Sequence, residues 1–316
     1  MAAAKTEEGV LVIGATGLIG VFITRALIGS LKAGEFKRLG VFTSQKTVTE
    51  KADLIEDWKS NGLEIFVGSL DDEKDVLAAY EGFDTIVSAL GRGALEKQIP
   101  LLRLAEATPS ITRFFPSEYG TDIEYFPESV HEKPHQNKLK VRAYIRESVK
   151  RVQHSYLVTG PFADGYLSKP RVEPRVGGFD VKGKKAWLLG TPEGKISLTT
   201  NEDVGKLLAA AIRHPEVAQG KALKVNSFTA IQAEILTEFE RQTGAKWESE
   251  YTSVEVLQKI EQVAYDAGHP FAVGVTLRRI WTQGGTLYEK RDNEDMGVTD
   301  TDTLEVAVRR AIAEQS

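Results

Sequence analysis

Cysteine is absent from the 316 residues. Its absence removes disulfides, thiolate nucleophiles and thiolate metal sites, and it suits a reducing compartment. An excess of either charge is also missing: 40 Lys and Arg stand against 45 Asp and Glu, a net charge of −5. With no basic run or aromatic-interleaved basic stripe, little would attract a polyphosphate backbone, so nucleic acid is not an expected partner. No uncharged apolar stretch reaches the length of a membrane span, about 18 residues, so no spanning segment is expected. Residues 1–8 lack the apolar core of a signal peptide, and the expected location is cytoplasmic. The Gly-x-Ser-x-Gly elbow of hydrolases is missing. No Tyr, including Tyr119, Tyr144, Tyr156 and Tyr265, has a Lys four residues later, so the usual Tyr acid of a glycine-rich-turn reductase is missing as well.

What is present is an alternation of short β-branched runs with amphipathic stretches. Segments 9–14, 38–43, 62–67, 83–90, 111–116 and 155–160 read as strands, and 18–31, 73–80, 94–107 and 134–152 as helices. Strands punctuated by helices indicate βαβ crossovers and a doubly wound parallel sheet, an α/β Rossmann domain. Past residue 160 the texture changes to a Pro- and Gly-rich segment, a hairpin around 182–190, and helices at 201–213, 233–243 and 254–267. Irregular inserts of this kind usually build a substrate pocket. The expected division is a dinucleotide domain over 1–157, completed by parts of 196–230, and a smaller α+β substrate-binding region over 158–316.

Val10-Leu11-Val12-Ile13-Gly14-Ala15-Thr16-Gly17-Leu18-Ile19-Gly20 runs from an apolar strand into a glycine turn and an amphipathic helix. Gly14 permits the turn, Gly17 lets the backbone approach a pyrophosphate, and Gly20 allows helix and strand to pack closely. Thr16, Leu18 and Ile19 complete the cofactor-binding turn. The end of the second strand decides which dinucleotide fits, because an acid there would hold the ribose hydroxyls of NAD and repel the 2′-phosphate of NADP. Here Thr43, Ser44 and Lys46 follow the strand with no acid among them, which favours NADP.

His131-Glu132-Lys133-Pro134-His135 matches a zinc motif letter for letter, yet that motif requires one continuous helix. Pro134 disfavours helix at Lys133, so these histidines are expected in a loop and no metal site is expected. On the following helix, Val141, Ile145, Val149 and Val152 form an apolar stripe, and three residues before Val141 stands Lys138. Burial and the positive helix end would both lower the pKa of this amine and make it a candidate general acid/base. The alternative is a lysine whose stem reaches solvent, or one paired with Glu118 or Asp122.

The sequence resembles the isoflavone reductase-like and phenylcoumaran benzylic ether reductase-like enzymes of the NmrA-like group of atypical short-chain dehydrogenases. The resemblance rests on the glycine turn, on Asp84-Thr85-Ile86-Val87-Ser88-Ala89-Leu90-Gly91, and on Arg113-Phe114-Phe115-Pro116-Ser117-Glu118-Tyr119-Gly120. Glu202-Asp203-Val204-Gly205 and His269-Pro270-Phe271-Ala272-Val273-Gly274 are later echoes. It implies NADPH as cofactor, with Ala89, Leu90, Gly91, Pro116, Ser117 and Lys138 along it, and Lys138 as the general acid/base. It also implies that Tyr119, Phe162 and Tyr166 line the substrate pocket. The chain departs from the family where an Arg usually follows the second strand, and over 125–136.

The expected function is NADPH-dependent reduction of an aromatic or conjugated small molecule by a monomer or homodimer. Two alternatives stay open. One is a non-catalytic NmrA-like regulator that senses the dinucleotide and docks on a partner protein. The other is an enzyme that isomerises or dehydrates with a merely structural cofactor.

Overall fold

The computed structural model describes residues 9–316, so the expectation drawn from 1–8 lies outside the described residues. The chain forms two units. The first comprises the residues up to Tyr119 together with Asn137–Leu157 and Val204–Leu223; the second comprises Gly120–Gln136, Val158–Asp203 and Lys224–Ser316.

In the first unit, β1 (Gly9–Ile13) is buried along its whole length, which is why it reads as a continuous apolar run and not an alternation. It is followed by α1 (Gly20–Lys32), β2 (Arg38–Thr43), α2 (Gln45–Glu50), α3 (Ala52–Ser60) and β3 (Glu64–Val67). Then come α4 (Glu73–Tyr80), β4 (Thr85–Ser88), α5 (Gln98–Ala107), β5 (Arg113–Phe115), α6 (Gln136–Ser148) and β6 (Gln153–His154). These six strands pair in parallel in the order β3-β2-β1-β4-β5-β6. The order reverses between β1 and β4, the switch point beyond whose carboxyl ends doubly wound sheets bind ligands. The helix Asn201–Arg213 lies very close to α1: a Cβ at Gly205 would come within 2.4 Å of the Phe22 carbonyl. Only glycine permits that approach, which gives the Glu202-Asp203-Val204-Gly205 echo a packing reason.

The expected helix over 94–107 is a 3-10 turn (Arg92–Lys97) followed by α5. Pro100 falls in the first turn of α5, where the N–H it lacks would have had no helical partner. The helix expected from 134 to 152 is likewise shorter. Pro134 belongs to a separate 3-10 turn, Lys133–His135, and α6 ends at Ser148. Helices α2 and α3, over residues that carry no strong apolar stripe, were not expected.

In the second unit, Gly178–Asp180 and Lys185–Leu189 form the antiparallel hairpin, displaced a few residues from 182–190, and Glu248–Thr252 joins it in parallel. Lys195–Leu198 and Phe228–Ile231 pair antiparallel. The core here gathers Leu167, Phe179, Leu188, Ile235, Phe239 and Val308. Phe179 and Phe239 stack with centroids 4.5 Å apart. Among the described residues no helix is long and apolar enough to cross a membrane.

Candidate active site

The carboxyl ends of β1 and β4 meet at the glycine turn. Gly14 has φ +84°, and a Cβ there would stand 2.6 Å from the Ala89 carbonyl oxygen. A Cβ at Gly20 would stand 2.2 Å from the Gly14 carbonyl oxygen, so any side chain at either position would force the backbone to move. Gly17 donates its N–H to the Gly14 carbonyl at 3.0 Å and is exposed. Thr16 is half-buried, Ile19 is buried, and Leu18 is 75% exposed, a large apolar side chain left uncovered at the mouth of the turn.

Beside this turn lies a cleft of about 670 Å³ lined by Gly14, Thr16, Thr43, Ser44, Lys46 and Leu90, among others. Four features of its electrostatics follow from the local sequence. Ser44 caps α2, accepting the Thr47 N–H at 3.2 Å. Lys46 has a 78% exposed side chain and stands 3.7 Å from Glu50, a surface pairing worth little. Asp71, also on the wall, is bound by Lys97 at 2.6 Å, so its charge is offset. Lys51, between α2 and α3, donates from Nζ to the Thr16 carbonyl at 2.6 Å and sets a second ammonium at the turn. Lys51, five residues beyond Lys46, gives no other sign in the sequence of its place at the turn.

A second group of residues is stitched to this cleft through Leu90. The Leu90 carbonyl accepts the Ser117 hydroxyl at 2.8 Å, and Gln98, buried on α5, accepts the Ser117 N–H at 2.7 Å. Ala89, Leu90, Pro116 and Ser117 therefore sit together, while Gly91 is exposed. Gln98 was not singled out from sequence, although a polar residue among the apolar positions of α5 was a usable sign. The hydroxyl of Ser88, buried at the end of β4, has no hydrogen-bond partner among the described residues.

Lys138, on the first turn of α6, is 16% exposed and donates from Nζ to the Glu118 carbonyl at 2.8 Å. The Glu118 carboxylate oxygen Oε2 is 3.9 Å from that nitrogen. Glu118 is one of the two partners considered for this lysine. Arg142, one turn further along α6 and 2% exposed, holds the same carboxylate through Nε and Nη2, at 3.1 and 3.2 Å. Arg142 was missed because its partner lies 24 residues away in the chain. Tyr119 is buried, and its hydroxyl has no hydrogen-bond partner among the described residues. Burial, and then the Glu118 charge, holds this phenol well above its ordinary pKa.

Phe162 and Tyr166 belong to the second unit. Phe162 is half-buried; Tyr166 is packed in that unit's core, its hydroxyl meeting Gln232 and its ring lying under Arg278, 4.2 Å from the centroid. His131 and His135 occupy two separate 3-10 turns, and Glu132 is bound to Arg279 at 2.8 Å. The zinc-motif letters thus fall on a segment with no continuous helix. Among the described residues no cluster of three or more potential ligands could hold a metal ion.

The model of the NmrA-like family matches residues 6–286. An isoflavone reductase homolog from Solanum tuberosum is 30% identical over 277 residues, covering 86% of this chain and 85% of its own. Phenylcoumaran benzylic ether reductase PT1 from Pinus taeda is 27% identical over 278 residues, covering 86% and 87%. The leucoanthocyanidin reductase–NADPH binary complex from Vitis vinifera superposes with a TM-score of 0.77 at 19% identity, over 96% of this chain and 99% of that one, a likeness of fold.

Proposed function

The chain belongs to the NmrA-like family, and we propose that within it this protein is an NADPH-dependent reductase of an aromatic or conjugated small molecule. The relatives it resembles are named as a phenylcoumaran benzylic ether reductase and an isoflavone reductase homolog, and the similar fold from Vitis vinifera was solved with NADPH.

The residues of the cleft suit that cofactor. Gly14 and Gly20 have no room for a side chain, which keeps the turn tight beside the cleft, and the amino end of α1 suits the charge of a pyrophosphate. Thr43 and Ser44 offer hydroxyls, and Lys46 and Lys51 offer ammonium groups, for the 2′-phosphate. When bound, NADPH supplies a hydride.

Lys138 carries the proton. A hydride delivered to an electrophilic carbon of the substrate would push an electron pair onto the conjugated oxygen, and the Lys138 ammonium would protonate that oxygen. The neutral amine then regains a proton from solvent. Tyr119 is assigned to the substrate, its unpartnered hydroxyl being a donor for an oxygen of the ligand. The single observation that supports this reading most is a mostly buried amine held on the Glu118 carbonyl, two residues from Pro116 in a segment tied to the cleft through Ser117 and Leu90.

The test is NADPH oxidation with a panel of enones, quinone methides and benzylic ethers. Lys138→Ala should lower kcat by about 10²–10⁴ while NADPH titration is unchanged. Turnover equal to that of the parent enzyme removes Lys138 from the mechanism. Equal binding of NADPH and NADH with no turnover of any member of the panel favours the sensor reading.

A further inference from the structure

Arg278 and Arg279 stand side by side on the helix Ala272–Thr282, yet their charges are met in opposite ways. Arg279 is held by two carboxylates, Glu132 at 2.8 Å and Glu261 at 2.5 Å. Arg278 is half-buried and has no carboxylate partner among the described residues. Its acceptors there are two main-chain carbonyls, of Gly165 at 3.2 Å and of Tyr166 at 3.4 Å, both longer than usual. These bonds engage Nη1 and Nη2, so Nε and one hydrogen of Nη1 are left without an acceptor among the described residues. The Tyr166 ring lies 4.2 Å from the guanidinium and covers one of its faces. Burial pulls the pKa of Arg278 below its ordinary value, and Tyr166, not a carboxylate, opposes that pull.

The surroundings leave this cation room for a ligand. A Cβ at Gly165 or at Gly274 would meet nothing within 4 Å, and both glycines are exposed. Gly274, Arg278 and Trp281 are spaced by four and three residues and share one side of the helix. Gly205 is required by the Phe22 carbonyl packed against it; nothing packs on Gly274, although glycine weakens a helix. The rings of Tyr166 and half-buried Trp281 stand with centroids 6.4 Å apart. Unused donors, aromatic surface and open space thus meet within the second unit, on a helix that carries the His269-Pro270-Phe271-Ala272-Val273-Gly274 motif into it.

We propose that Arg278 binds a carboxylate of the substrate, so that the molecule reduced is an aromatic acid. The inference rests on the reductase reading for the fate of that molecule and deepens it by assigning the ligand a negative charge. A carboxylate is the missing counter-ion of a half-desolvated guanidinium, and its bonds to the unused N–H groups are charge-assisted, about twice as strong as neutral ones. A neutral ligand of the same shape leaves the cation as it was. The aromatic part of the acid gains apolar contact with Trp281 on the same side of the helix.

The experiment compares acids with their neutral twins. Benzoate, cinnamate and 3-phenylpropanoate, each beside its primary amide, are titrated calorimetrically into the full chain with and without NADP⁺. At least one acid should bind about tenfold or more tightly than its amide, the value of one charged hydrogen bond. In Arg278→Gln acid and amide should bind alike, and Arg278→Lys should restore part of the difference. Gly274→Leu, which keeps the charge but fills the open space, should weaken the acids about tenfold. Acids that bind no better than amides in the parent, or that keep their advantage in Arg278→Gln, overturn the proposal. Tm and NADPH affinity report whether each variant is folded; if Arg278→Gln is not, Gly274→Leu decides, since undiminished acid binding there is contrary to the site. NADPH oxidation with enones bearing an acid or an amide then separates the two readings. Acids bound through Arg278 with no turnover support the anion site and sink the reductase reading, whereas amides reduced with the kcat/KM of the acids keep the reductase and overturn the Arg278 assignment.

Discussion

The two ends of the candidate site are built in opposite ways. Around the glycine turn the backbone does the work: positions 14 and 20 are defined by the absence of a side chain, and the contacts are to carbonyl groups a few residues away or on the adjacent strand. Around Lys138 everything depends on long side chains meeting inside the protein, Arg142 on Glu118 across 24 residues and Lys138 on the Glu118 carbonyl across 20. A backbone site tolerates wide variation at its neighbours but none at its glycines. A side-chain site fails when one partner is left alone with a buried charge.

This contrast breaks if damage at one end spreads to the other. The largest effect expected is on stability. Arg142→Met should cost about 3–5 kcal/mol of unfolding free energy by removing both Arg142 hydrogen bonds to the buried Glu118 carboxylate, while NADPH affinity in the folded fraction changes little. Denaturant unfolding with and without NADPH measures both. Next in size, Gly14→Ala should cost about 1–2 kcal/mol for its left-handed backbone, with a further loss as Ala89 is displaced. NADPH binding should weaken at least tenfold while the unfolding cost of Arg142→Met adds independently in the double variant; a cost that fails to add would show the two ends to be one mechanical unit.

Smaller effects sharpen the picture. Lys46→Ala and Lys51→Ala should each reduce the preference for NADPH over NADH by about tenfold, the value of one charged hydrogen bond of roughly 1.5 kcal/mol. Equal Kd ratios in parent and variants would remove these lysines from the phosphate site. The smallest effect concerns His154. Its folded pKa lies below 6.5, so the unfolded chain takes up a proton first as the pH falls. The stability it contributes is present above pH 6.5 and is lost as the pH drops through the folded value. His154→Gln should flatten the Tm–pH curve below 6.5, and a curve of unchanged slope would place the acid sensitivity elsewhere.

The resemblance seen in the motifs, and the doubly wound sheet, were readable before any coordinates because both rest on local order. The strand Arg38–Thr43 and the helices Glu73–Tyr80 and Asn201–Arg213 fall where their periodicity puts them. Helices α2 and α3 escaped because their apolar faces are narrow: none of α2 is buried, and only Ile55 and Trp58 of α3 are. Lys138 was found by its place on the stripe, but Arg142, the most deeply buried cation of α6, was passed over. Periodicity assigns a side of a helix; it says nothing of a partner that would make a charge tolerable there.

What the sequence by itself determined is the set of features whose cause lies within a few residues: the glycine turn, the strand and helix rhythm, and the interruption of helix at Pro134 that spoils the zinc motif. Only the tertiary structure decided that Arg142 meets Glu118 across 24 residues, that Lys51 reaches Thr16 across 35, and that Glu132 is claimed by Arg279 across 147. Steric rules on the backbone act at short range and can be read along the chain. The pairing of buried charges depends on which side chains the completed core brings within hydrogen-bond reach, and that is known only once the core has formed.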